Sequence, residues 1–222
     1  MPLVLFGPEW FYGYESIFAF VFAVVTLLIA LLSLKTYNLT NENSYKYFGL
    51  SFLLISAANI VFGFFATSLL LHFSTTLSTL LAAFDFAFLG YIFLFILALT
   101  LLLIVTLKVE SGKVMLLLLS LATLFVLYSR QNYLKFHITA FLLLFFLAHQ
   151  FYSNYLENKK DNAKIVFSAF YTLTCAEVFF MLSILYSTWF YVVAYFLQLV
   201  GYLTLFYLFL RLTQHGRKKR KA

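Results

Sequence analysis

The chain has 222 residues, 64% of them hydrophobic and only 10% charged, with a formal net charge of +7. Soluble globular domains are about 45–50% apolar and about 25% charged, so water cannot be the solvent for this surface and lipid must be. The single cysteine, Cys175, excludes an internal disulfide, and no zinc-protease or phosphate-loop motif is present.

A membrane-crossing helix needs about 20 mostly apolar residues. Taken in chain order, the apolar runs predict seven: 13–34, 47–71, 76–107, 114–128, 134–155, 163–186 and 189–212. Both prolines, Pro2 and Pro8, precede the first run, so the helices are expected to be uninterrupted. The runs do not alternate polar and apolar residues as barrel strands do. The predicted fold class is all-α, a polytopic seven-helix membrane bundle in one domain, residues 1–212. A basic tail follows at 213–222.

The fourth run, fifteen residues long, is the short one. Charge decides in its favour. If it spans, thirteen Lys and Arg fall on one side and two, Arg130 and Lys135, on the other. If it does not, the division is six against nine. Positive charge concentrates on the cytoplasmic side, so seven spans are expected, with the N-terminus outside and the C-terminus in the cytoplasm of a cell membrane. Trp10, Phe11, Tyr12, Tyr14, Tyr186, Trp189 and Tyr191 then form an outer aromatic belt.

The first three and last three helices share a pattern. Tyr37 and Tyr155 each lie nine residues before a lysine, Lys46 and Lys164. Thirteen residues after each lysine comes a polar residue, Asn59 or Glu177, with Phe62 or Phe180 three positions on. Gly90-Tyr91 and Gly201-Tyr202 complete the match, and a parallel 3+1+3 repeat is the reading, a symmetry known for transporters.

An ionised side chain at the bilayer centre costs at least about 2.5–3.5 kcal/mol, which singles out Asp85 and Glu177. At 1.5 Å rise per residue, Asp85, Glu177, Asn59 and Gln198 fall within about 13–18 Å of the outer helix ends. They are the candidate ligand- or proton-binding residues. Two readings compete: interhelical glue, with the carboxyls protonated or paired to Asn59 and Gln198, or a proton, cation or ligand site. No Lys or Arg lies at that level to pair with the acids. His72 and His137 are placed near outer helix ends and His149 in the inner half of its helix, without metal-ligand spacing; no metal and no cofactor is expected. Arg217, Lys218, Lys219, Arg220 and Lys221 are read as a topology anchor and as candidate contacts to lipid headgroups. Membrane lipids, and a membrane or cytoplasmic protein, are the expected partners; nucleic acid is not.

The last run, WFYVVAYFLQLVGYLTLFYLFL, has no lysine to form a retinal Schiff base, and the repeat helices lack the prolines of sugar transporters with a 3+1+3 design. The stretches LKTYNLTNENSYKYFGLSFLLIS and YFLQLVGYLTLFYLFLRL resemble the small, uncharacterised seven-helix membrane proteins of archaea. They also resemble the seven-helix sensor regions of histidine kinases. The resemblance implies a sensor-like or accessory, non-enzymatic membrane module that binds a small or lipid-like molecule or a partner; since the sequence ends at Ala222, signalling is expected to need a separate protein. The alternative is a small-solute or proton-coupled transporter using Asp85 and Glu177. An intramembrane lipid enzyme has only the two acids to rest on.

Overall fold

The computed structural model describes residues 7–71, 77–109, 111–129 and 133–219. A short turn of 3-10 helix, Glu9–Phe11, leads into α1, Tyr12–Thr40. There follow α2, Asn43–Leu71; α3, Leu77–Thr106; α4, Gly112–Ser129; α5, Tyr133–Asn158; α6, Asp161–Leu185; and α7, Trp189–Lys219. Six of them, all but α4, are long and apolar enough to cross a membrane. Apolar side chains cover the outside as well as the core: Ile17, Val24, Leu31, Phe64, Phe86, Leu116 and Phe146 are exposed. A water-facing bundle would carry polar residues there, so these faces suit lipid.

Several helices run past their apolar stretches. α1 continues six residues beyond the predicted end at Leu34, because Lys35 and Thr36 are tolerated in a helix; it stops where Asn41 turns left-handed (φ 56°) and donates its N–H to Tyr37 O at 2.7 Å. Asn is the residue that takes this conformation most readily after glycine. Buried hydroxyls are mostly satisfied inside their own helix: Thr26, Thr100, Thr174 and Thr213 donate to the carbonyl four residues back at 2.6–2.8 Å. Two tie α1 to α2: Ser56 donates to Ala23 O at 2.8 Å and Ser33 to Tyr45 O at 2.7 Å.

The helices pack as a ring in chain order. α1 lies against α2, α2 against α3, α5 against α6, α6 against α7, and α7 closes onto α1. α3 also meets α5 directly, with α4 in contact with both. α1 and α7 are parallel, because Phe11 meets Tyr191, Phe18 meets Tyr195 and Phe22 meets Tyr202 in the same order along both. Contacts from Phe88 to Tyr133 and from Phe95 to Phe136, with Leu99, Leu102 and Leu144 around one gap further along, make α3 and α5 parallel too. α4, eighteen residues and about 27 Å long, therefore carries the chain back from one end of the bundle to the other.

Two stretches 118 residues apart share local structure. Ser51, Phe52, Ile55, Ser56, Ala58 and Asn59 in α2 are buried, as are Ala169, Phe170, Leu173, Thr174, Ala176 and Glu177 in α6. In α1 and α5 the buried pairs are Ala19 and His137, Phe22 and Ala140, Thr26 and Leu144, Ile29 and Leu147, Ala30 and Ala148. Lys159 ends α5 in the left-handed region (φ 47°) with its N–H on Tyr155 O, as Asn41 ends α1 on Tyr37 O. The two Gly-Tyr pairs do not correspond in packing. Gly201 and Tyr202 are buried while Gly90 and Tyr91 are half-buried.

Gly201 lies at a close approach of α6 to α7. A Cβ there would lie 2.7 Å from Leu173 Cγ and 3.3 Å from Ala169 O, whereas one at Gly13 would meet nothing within 4 Å. Gly201→Ala is expected to destabilise the bundle by about 1–3 kcal/mol through overpacking. Gly13→Ala should be neutral or slightly stabilising. Reversible unfolding in mixed detergent micelles measures both; equal stability of the two variants would deny the close approach.

Candidate functional site

α6 turns Phe170, Leu173, Thr174 and Glu177 inward on one face, and α5 does the same with His137, Ala140 and Leu144. Where these faces meet, Glu177 Oε2 lies 2.6 Å from His137 Nδ1, with both side chains 3% exposed. A charge-assisted hydrogen bond has about this length. The absence of Lys and Arg at this depth therefore does not leave Glu177 without a basic partner: the partner is a histidine. The other atom of the ring, Nε2, is buried and has no hydrogen-bond partner. Three aromatic rings hold the imidazole in place. Phe180 stacks on it at 4.7 Å, and Tyr133 and Phe136 meet it edge-on at 4.4 and 4.9 Å.

Of the four residues expected to converge, the structure brings three together. Asn59 from α2, Glu177 from α6 and Gln198 from α7 line one cavity, shared with His137, Tyr91, Tyr133 and Tyr195. Asp85 belongs to α3, but its side chain lies outside the described residues. The amides are not bonded to the carboxyl as expected. Asn59 Nδ2 donates to Ile55 O in its own helix at 2.8 Å, and Gln198 Nε2 donates to the Tyr202 hydroxyl at 3.4 Å, one turn on. The intrahelical bonds fix both amides at the cavity wall.

The cavity measures about 20 Å³. One water needs about 10–15 Å³ on this measure and two to four polar partners, so the space fits a single water. A second gap, about 10 Å³, adjoins Glu177, Gln198 and Tyr202 on the apolar side toward Leu99 and Leu144. Pockets for small molecules are typically about 300–1,000 Å³, far larger than either. Both members of the pair are side chains that can carry a proton. With two protons distributed over Nδ1, Nε2 and the carboxyl the pair is neutral; with one, it carries a net negative charge. Nε2 donates in the first state and accepts in the second, so a water against it would report the change.

The other site expectations separate by location. Arg217, Lys218 and Lys219 belong to α7, but their side chains, and all of Arg220 and Lys221, lie outside the described residues, as does His72. His149 is exposed on α5. Among the described residues no three His, Cys, Asp or Glu side chains group to hold a metal ion. His137 and the tyrosines around it were not among the expected site residues. The signal for His137 was its place on the inward stripe of α5 with Ala140, Leu144 and Leu147.

Compared with protein families, curated proteins and solved structures, the chain matches none.

Proposed function

We propose that the chain is a sensor-like or accessory membrane module whose input is a proton taken up at the His137–Glu177 pair. The bundle is read as seven spans in a cell membrane, with the N-terminus outside. The observation that carries the function is the 2.6 Å contact between two buried titratable groups beside a water-sized space. Ionisable residues inside membranes are costly and mark proton or ion pathways, and a histidine changes charge within the ordinary pH range. The resemblance of the 34–56 and 195–212 stretches to seven-helix sensor regions agrees with a signalling role. The common burial register 118 residues apart, and the matching helix ends at Asn41 and Lys159, support a repeat of α1–α2 in α5–α6. In that reading the second half alone carries the pair, since Ala19 and Asn59 occupy the places of His137 and Glu177.

A proton-coupled carrier using Asp85 and Glu177 is the second reading. It is favoured by the two gaps that flank Glu177 and Gln198. Substrate uptake into proteoliposomes under a pH gradient separates it from the first.

Infrared difference spectra of the lipid-reconstituted protein, recorded between high and low pH, test the proton reading. The expected result is a carboxyl or imidazole band that Glu177→Gln abolishes without loss of helical circular dichroism. Identical difference spectra for wild type and Glu177→Gln would sink it.

A further inference from the structure

Glu15 is a second buried acid, one turn into α1 and 7% exposed. Among the described residues no cation pairs with it, and its Oε1 has no hydrogen-bond partner. The Tyr191 ring of α7 lies beside it, since both meet the backbone of Gly7. Gly7 covers it: a Cβ at Gly7 would stand 3.2 Å from Glu15 Oε1 and 2.9 Å from the Tyr191 ring. The backbone at residue 7 comes this close only because it carries no side chain.

From Tyr191 the polar contacts lead inward. Its hydroxyl is 3.3 Å from that of Tyr195. Tyr195 and Tyr133 both line the cavity that holds His137 and Glu177, and the Tyr133 ring meets the imidazole at 4.4 Å. Around this route Phe11, Phe18 and Phe180 form an apolar sleeve. Among the described residues, the titratable groups next to Glu15 are Tyr191 and, beyond it, Tyr195 from α7; those sharing a cavity wall with Glu177 are His137 and Tyr133 from α5, Tyr91 from α3, and Tyr195 and Tyr202 from α7. A hydroxyl both donates and accepts, so a row of them passes a proton on without holding charge.

We infer that Glu15 is a proton-binding site at the N-terminal end of the bundle, and that Tyr191, Tyr195 and Tyr133 relay its proton to the His137–Glu177 pair. The inference rests on the proton reading above and adds the direction of access. A proton is taken by the Glu15 carboxylate, one leaves its carboxyl to the Tyr191 hydroxyl as that hydroxyl gives its own onward, and the last hydroxyl or the cavity water delivers one to His137 Nε2. Each tyrosine ends as it began, and the net event moves one proton from Glu15 to the pair.

The test is a pH jump on the reconstituted full-length protein, followed by time-resolved infrared at the band assigned through Glu177→Gln. Glu15→Gln and Tyr191→Phe are expected to leave the final amplitude of that band unchanged and to slow its appearance about 100-fold, as loss of a positioned proton-transfer group does. Glu15→Gln should also remove a second, faster carboxyl band. Tyr195→Phe provides a further variant should Tyr191→Phe not fold, and is expected to slow the rise as well. Unchanged rates in all three, with the Glu177 band present, overturn the relay and leave the proton reading standing. Absence of the Glu177 band in the wild type overturns both.

Discussion

Replacing His137 by alanine is expected to destabilise the folded bundle by about 3–5 kcal/mol, the usual result of leaving one member of a buried pair behind. Glu177 would keep its burial and lose its 2.6 Å partner. The neighbouring amides are placed elsewhere, with Asn59 donating to Ile55 O and Gln198 to Tyr202. Glu177→Leu in the same background should recover most of the loss, since a neutral, apolar side chain of similar size makes no demand for a partner; replacing a buried pair by apolar residues is often neutral. The measurement is a double-mutant cycle from reversible unfolding in mixed micelles. A coupling energy of about 0.5–3 kcal/mol marks residues in contact. Additive effects of His137→Ala and Glu177→Leu would mean that the two side chains do not interact.

That pair shows where the sequence was legible and where it was not. The helices could be located because each is a long apolar run without an interior proline, and chemistry of that kind is local. Their ends were less legible: Lys35 and the basic residues after Arg211 look like boundaries in hydropathy, yet the backbone continues through them to Thr40 and Lys219. Glu177, Asn59 and Gln198 could be found because a polar side chain in an apolar run is conspicuous. His137 is equally conspicuous, but spacing to other histidines bears only on metal binding, and its partner lies 40 residues away on the next helix. Glu15 was hidden by its neighbours. It sits among Trp10, Phe11, Tyr12 and Tyr14, which read as an interfacial belt, and only the packing of α7 and Gly7 over α1 buries it. Tyr133, Tyr191 and Tyr195 were hidden in the same way, because 16 tyrosines and 30 phenylalanines leave aromatic residues on every helix face.

Cysteine labelling should give an all-or-none pattern at the helix connections. In a Cys175→Ala background, Gly112→Cys and Asn158→Cys are expected to react with an impermeant thiol reagent only from the cytoplasmic side, and Gln131→Cys and Ser187→Cys only from outside. The grouping follows from the fold. Because α3 and α5 are parallel, Gly112 at the start of α4 lies at the opposite end of the bundle from the beginning of α5, and residue 131 comes two positions before that beginning in the sequence. Ser187 joins α6 to α7 at the end where Trp10 meets Trp189 at 5.6 Å, which is also the end that carries Glu15. The side assigned to each group follows from the charge division expected for seven spans, in which Arg130 and Lys135 go with Ser187 and thirteen basic residues go with Gly112. Labelling of all four positions with the sides exchanged would retain the fold and invert the protein in the membrane, so that Glu15 would draw its proton from the cytoplasm. Labelling of Gln131→Cys from the same side as Gly112→Cys would instead remove α4 as a crossing, and with it the parallel pairing of α3 and α5 that sets Phe88 against Tyr133 and Phe136.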